Sequence, residues 1–220
     1  MLAAIDAEGP DAVWCLGDLV GYGPQPNETT AAVQGRAEIC LCGNHDLAVL
    51  GTIDLDEFQG DAAAAARWTR EELDDAARSF LASLEPSAER AGVALFHGSP
   101  IDPVWEYVLT FEAAFEALDA TAAPVVLVGH SHVALAISQQ GGGVAKAGTE
   151  VDLASGRWLL NPGSVGQPRD GDPRAAYLML DLGAGRASFK RVEYPIDRTQ
   201  AEMHARGLPG ALADRLADGV

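Results

Sequence analysis

The chain has 220 residues, 48% of them hydrophobic, which is enough to bury a full core within one domain spanning residues 1–220. Its 15 Lys and Arg against 32 Asp and Glu leave a formal net charge of -17, which sets aside nucleic-acid polymers and membranes as partners, since anionic surfaces demand clustered basic side chains. Cys15, Cys40 and Cys42 lie in apolar runs, where free thiols act as small buried hydrophobes; with no secretory leader and no apolar run of spanning length in view, a cytoplasmic protein is expected.

In chain order, Met1 to Glu8 reads as the end of an amphipathic helix closed by Gly9-Pro10. A strand is expected over Ala12–Leu16, then a Gly- and Pro-rich loop from Gly17 to Asn27, in which Tyr22 is placed to border a pocket, and a short helix near Glu28–Gln34. Ala37–Cys42 is the next strand. Leu47–Gln59 follows no period; after it come the Ala62–Ala66 run and a second helix, where Thr69 and Glu72 match a capping box and Leu73, Ala76, Phe80, Leu81 and Leu84 keep helical spacing. Strand Gly92–Phe96, helix Phe111–Leu118 and strand Pro124–Val128 form a βαβ-like unit, the signature of a partly parallel sheet. Short strands follow at Val133–Ser138, Glu150–Leu153 and Trp158–Leu160, with a Gly141-Gly142-Gly143 turn between the first two. Tyr177–Leu182 and Ala187–Tyr194 read as a hairpin, and Thr199–Ala217 as a helix broken at Gly207–Gly210.

Four of these strands run into polar loops: Gly17-Asp18, Gly43-Asn44-His45-Asp46, His97-Gly98 and Gly129-His130-Ser131-His132. Ligands of α/β sheets gather beyond the carboxyl ends of the strands, so these loops should converge, and a carboxylate, an amide and several imidazoles in one place form the donor set of a metal centre. In an extended loop residues two apart point the same way, which would turn His130 and His132 inward and Ser131 away. Cys40 and Cys42 resemble half a zinc knuckle but have no second pair, and His204 sits in a polar helix at the surface. Arg169 and Arg174 would meet either a substrate phosphate or the carboxylates of Asp170 and Asp172.

The order and intervals of these motifs resemble the calcineurin-like metallophosphoesterase superfamily, whose pattern is D-x-H, G-D, G-N-H-[DE], H and G-H-x-H. Trp105-Glu106-Tyr107 and the segment from Asn161 to Arg169 are similar to its small bacterial and archaeal phosphodiesterase-like branch. The resemblance implies an α/β fold with two mixed β-sheets packed as a sandwich flanked by helices, and a two-metal site at one edge. It implies hydrolysis of phosphomonoesters or phosphodiesters of small substrates by a hydroxide held between divalent ions, most often Mn²⁺, with Fe, Zn or Ni as alternatives. Carried over by position, Asp18 would bridge both metals, Asn44, His97 and His130 would complete one site, and His132 would belong to the other. His45 would donate a proton to the leaving group, with Asp46 fixing its tautomer and orientation. The D-x-H element has no counterpart here, from which one tightly held ion and a start upstream of Met1 are expected. A non-catalytic scaffold with a depleted metal site is the alternative, set against the presence of His45. A metallo-β-lactamase-like site is ruled out because Val133-Ala134-Leu135 follows His132 where that motif needs Asp-His.

Overall fold

The computed structural model describes residues 1–220. Its centre is a six-stranded mixed sheet. Three parallel strands, β4 (Val93–Phe96), β5 (Val125–Val128) and β9 (Trp158–Pro162), occupy the middle of it. On one edge β3 (Ser87–Arg90) pairs antiparallel with β4; on the other, β6 (Ala134–Ser138) and β7 (Gly141–Val144) continue antiparallel from β9. Facing this sheet are a short parallel pair, β1 (Trp14–Cys15) with β2 (Ile39–Cys40), and a three-stranded antiparallel sheet in which β11 (Arg186–Val192) lies between β10 (Ala175–Asp181) and β8 (Glu150–Asp152).

The period of two along the central strands assigns each residue to a layer. Val125 and Leu127 point with Leu95, Leu160, Ala134 and Ala136 into the space between the sheets, where they meet Leu41, Val151, Ala187 and Phe189. Val126 and Val128 point the other way, with Ile137 and Leu159, onto Ala114, Ala117 and Leu118 of helix α6 (Phe111–Asp119), which Thr110 caps. The fold is the expected α/β sandwich flanked by helices, with the βαβ crossover in place.

A separate helical layer covers the β1–β2 side. Helices α2 (Pro26–Gln34), α3 (Asn44–Leu50), α4 (Gly60–Glu72) and α5 (Asp75–Leu81) enclose Val20, Ala48, Val49, Leu55, Ala66, Leu73, Ala77 and Leu81. Beyond α4, Ala65 packs on α7 (Ile196–Ala205) and α8 (Gly210–Asp214), which flank the expected break. The N-terminal helix α1 (Leu2–Glu8) ends on the left-handed Gly9. No helix is long and apolar enough to cross a membrane.

Four local expectations are corrected, and one strand, β3, was not foreseen. Asn44-His45-Asp46 opens α3 instead of lying in a loop, because the Asp46 carboxylate accepts the Gly43 backbone N–H and closes the first turn. The Ala-rich run carries α4 unbroken from Gly60 to Glu72, so Thr69 is a fully buried mid-helix residue and not a cap; the next helix starts at Asp74, whose carboxylate accepts the Ala77 N–H. The three glycines at 141–143 form strand β7, and Gly142 is needed there because a Cβ would strike the Ala136 carbonyl of the neighbouring strand. Strand β3 has no apolar alternation in its sequence and exists through its hairpin with β4. The loop carrying His130 and His132 is coiled, with φ of 55° and 60° at the two histidines, and not extended.

Candidate metal centre

Parallel strands end on a common edge, and there the four motif loops meet. β1 delivers Gly17 and Asp18, β2 leads through Leu41 and Cys42 into Gly43 and Asn44, β4 delivers His97, and β5 delivers Gly129 and His130. Asp18, His97 and His130 offer ligand atoms that all lie within 4.8 Å of one another. Asn44 completes the set, its Oδ1 3.3 Å from His97 Nε2. All but Asp18 are nearly fully buried, and the Asp18 side chain retains only 10% exposure.

Second contacts aim these donors. His97 donates its Nδ1–H to the Leu16 carbonyl at 2.7 Å, which turns Nε2 toward Asp18 Oδ2 at 3.4 Å and His130 Nδ1 at 3.2 Å. Asp18 Oδ1 accepts the backbone N–H of His45 at 2.9 Å, leaving Oδ2 turned inward. Gly43 leaves no room for a side chain: a Cβ there would overlap Asp18 Oδ1 and the His97 ring. Of the four non-glycine residues with left-handed φ, three are Asp18, His130 and His132, so backbone strain of roughly 1 to 3 kcal/mol per residue is concentrated where the donors converge.

The electrostatics of the cluster suit a cation. Asp18 is driven far below its usual pKa, because the neighbouring His97 and His45 outweigh the opposing effect of burial. Burial disfavours a charged His97, yet the Asp18 carboxylate overrides it and raises the imidazole to about 9. His130, buried beside that charge, falls to about 4. Asp18 Oδ2 and His130 Nε2 are buried without a hydrogen-bond partner. The inward Asp18 Oδ2, the Asn44 Oδ1 and the mutually facing His97 Nε2 and His130 Nδ1 make an oxygen and nitrogen donor set that fits a divalent ion.

His132, expected to belong to the other metal, lies outside this three-residue group. The left-handed turn at His130 and His132 carries it toward the loop after β9, where its Nδ1–H donates to the Gln167 carbonyl at 2.8 Å. Burial, then the charge of Arg169, lowers it to about 3, so the ring is neutral. Asp46, expected to fix the tautomer and orientation of His45, makes no bond to its ring: the carboxylate accepts backbone N–H groups from Leu19, Val20 and Gly43 instead. It positions His45 by stapling the two loops together.

His45 is held by aromatic packing instead. Tyr22 lies 4.4 Å from it and Phe58 4.8 Å, centroid to centroid, and Gly21 is required because a Cβ there would run into Nδ1. Burial lowers its pKa, so the ring is neutral near pH 7. On the other flank Tyr107 stacks on His130 at 3.9 Å, and Trp105 lies 5.7 Å from Phe58. Phe58 and Arg215 had no sequence signal: each lies outside the motifs and reaches the site only through the fold, whereas Gln167 falls in the Asn161 to Arg169 segment without a role of its own being readable. Arg174 pairs with Asp172, and Asp170 with Arg191, so neither carboxylate holds Arg169. His204 is exposed, 3.9 Å from Asp214.

Comparison with known proteins agrees with this geometry. Residues 1–185 match the model of the calcineurin-like phosphoesterase superfamily domain. An uncharacterised protein of Methanocaldococcus jannaschii is 34% identical over 98% of this chain and 90% of its own length. The crystal structure of a metallophosphoesterase from Sphaerobacter thermophilus superposes with a TM-score of 0.89 at 42% identity, over 100% of this chain and 93% of that one. A hypothetical protein from Pyrococcus horikoshii shares the fold at a TM-score of 0.79 and 20% identity, over 100% of this chain and 90% of its own.

Proposed function

The chain belongs to the calcineurin-like phosphoesterase superfamily, and from that premise we propose that it hydrolyses small phosphate esters with a divalent ion held by Asp18, Asn44, His97 and His130. The observation that carries this reading is the buried convergence of Asp18, His97 and His130, with Asp18 Oδ2 turned into it and left without a hydrogen-bond partner. The mixed nitrogen and oxygen donor set suits a first-row ion, and Mn²⁺ is the ion we assign, with Fe, Zn and Ni as competitors. When bound, such an ion supplies Lewis-acid polarisation of the phosphoryl group and lowers the pKa of water.

The protein's own residues do the rest. Asp18 fixes the position of His45 through its backbone N–H, Asp46 locks the loop behind it, and Tyr22 and Phe58 hold the imidazole between them. A neutral His45 keeps a ring N–H that would hydrogen-bond the leaving oxygen and stabilise the negative charge developing on it as the P–O bond breaks. Neutral His132, held at Nδ1, keeps its Nε2 lone pair for substrate or a further ion. Trp105 and Tyr107, 37% and 48% exposed, would contact the organic part of the substrate. Free cysteines and the acidic surface fit work in the cytoplasm on small molecules.

The reading is tested by assaying a nitrophenyl phosphodiester and a nitrophenyl phosphomonoester with Mn²⁺, Fe²⁺, Zn²⁺ and Ni²⁺ against a chelator-treated control. Metal-dependent turnover of at least one ester is expected. A protein that binds metal but hydrolyses neither would be the binding scaffold instead.

A further inference from the structure

The arginines of this chain find partners readily. Arg36, Arg90, Arg174, Arg191 and Arg198 pair with carboxylates, and Arg70, Arg78 and Arg157 donate to backbone carbonyls. Arg169 and Arg215 do neither. Both lie over the face of Tyr22, their guanidinium carbons 5.9 and 5.2 Å from the ring centroid, and both donate to one acceptor, Gln167 Oε1, at 3.2 and 2.5 Å. Neither has a carboxylate within ion-pair distance, and both Nε atoms, like Gln167 Nε2, are buried without a partner. Two like charges held side by side repel, and a chain with 32 acidic residues has ample means to neutralise them. Burial and the charge of Arg169 accordingly depress the Arg215 guanidinium.

This pair is joined to the metal centre on two sides. Tyr22, beneath the guanidiniums, packs against His45. The Arg169 backbone N–H donates to the His132 carbonyl at 3.1 Å, while His132 donates to the Gln167 carbonyl at 2.8 Å. One short segment thus fixes His132 by its main chain and gathers the two arginines by its side chains.

We propose that Arg169, Arg215, Gln167 and Tyr22 form a second anion subsite beside the metal centre, which takes a second phosphoryl group of the substrate. Two guanidiniums gathered on one acceptor and one ring, without a carboxylate between them, offer the paired N–H groups that bind a tetrahedral oxyanion. Because the pair is joined to His45 through Tyr22, the leaving group itself carries this phosphate, and the substrate is a phosphoanhydride. Water adds its oxygen to one phosphorus, the bridging P–O bond breaks, and the bridging oxygen departs on the second phosphate with the proton. This rests on the hydrolase reading above and narrows its substrate class.

The test separates the two. Calorimetric titration of chelator-treated protein with inorganic phosphate and with pyrophosphate reads the subsite with neither metal nor turnover. Pyrophosphate should bind the wild type at least tenfold tighter than phosphate, and Arg169→Gln and Arg215→Gln should each weaken pyrophosphate about ten- to a hundredfold, with partial rescue by Arg169→Lys and Arg215→Lys. In the Mn²⁺-loaded enzyme the same Gln variants should raise KM for a dinucleoside polyphosphate at least tenfold, and for nitrophenyl phosphate far less. Arg-dependent pyrophosphate binding without any ester hydrolysis would keep the subsite and remove the hydrolase reading. Pyrophosphate bound no tighter than phosphate, or bound unchanged by Gln variants that melt like the wild type, would overturn the subsite.

Discussion

At the scale of single residues, holding a metal and stabilising the leaving group fall to different side chains. His45→Ala should lower kcat by about 10² to 10⁴ and leave metal content nearly unchanged, since His45 meets the cluster through its backbone and not its ring. The loss should be smaller for nitrophenyl than for alkyl esters, and equal losses would deny His45 the role of stabilising the leaving oxygen. His97 ties metal binding to pH. Its imidazole is raised from an ordinary 6.5 to about 9 by the Asp18 carboxylate, so near pH 7 an incoming ion must displace its proton. Metal uptake measured in weak buffer should release about one proton at pH 7, and affinity should rise with pH until it levels near 9. The metal-free protein should behave oppositely: a raised histidine pKa contributes stability below 6.5 that is lost as pH climbs through 9, so its melting temperature should fall across that window. A flat profile for both would mean that the Asp18–His97 pair is not what the ion replaces.

At the scale of elements, the loop after β9 is anchored by a buried ion pair. Arg191 of β11 meets Asp170, the two side chains being 4% and 2% exposed, and Asp170 also accepts the Ala134 N–H at the start of β6. Arg191→Met would strand that carboxylate in the interior and should cost about 3 to 5 kcal/mol by urea denaturation. Replacing both partners by apolar residues should recover much of the loss, and a single variant as stable as the wild type would contradict the anchoring role. How this neighbourhood could be read from sequence differs element by element. Asp18, Asn44, His97 and His130 were legible because each follows an apolar run with glycine beside it, a local pattern that the parallel strands turn into a shared edge. Strand β7 and the entry to α3 were not, because Gly141–Gly143 and Asn44–Asp46 both carry turn chemistry and adopt regular structure only through partners elsewhere: β6 in one case, and the Leu19 and Val20 amides with the Asp46 cap in the other. The bond from His132 to the Gln167 carbonyl depends on a left-handed backbone that a His-x-His spacing does not encode. Arg215 is invisible for a simpler reason, since it comes to Tyr22 from the far end of the chain.

At the scale of the whole molecule, stability and chemistry reside in different places. The inter-sheet core and the α6 face bury Leu95, Leu118, Leu159 and Leu160 completely, each such side chain contributing about 1.5 to 3 kcal/mol, whereas the donor cluster sits at the strand ends beside it. Chelation should therefore abolish turnover while the circular dichroism spectrum and cooperative melting persist, and Leu95→Ala should do the reverse, costing about 2 to 5 kcal/mol with metal affinity kept below its melting point. Unfolding of the wild type by chelator alone at room temperature would make the ion structural. The central claim, that Asp18, Asn44, His97 and His130 hold the ion on which hydrolysis depends, is tested most directly by titrating Mn²⁺ back into chelator-treated wild type and His97→Ala while bound metal and hydrolysis of a nitrophenyl phosphodiester are measured on the same samples. The account predicts that rate rises in proportion to bound metal in the wild type and that His97→Ala, though folded, neither retains the ion nor turns over. A wild-type rate indifferent to bound metal, or a His97→Ala variant that binds Mn²⁺ and hydrolyses the ester as well as the wild type, would contradict it.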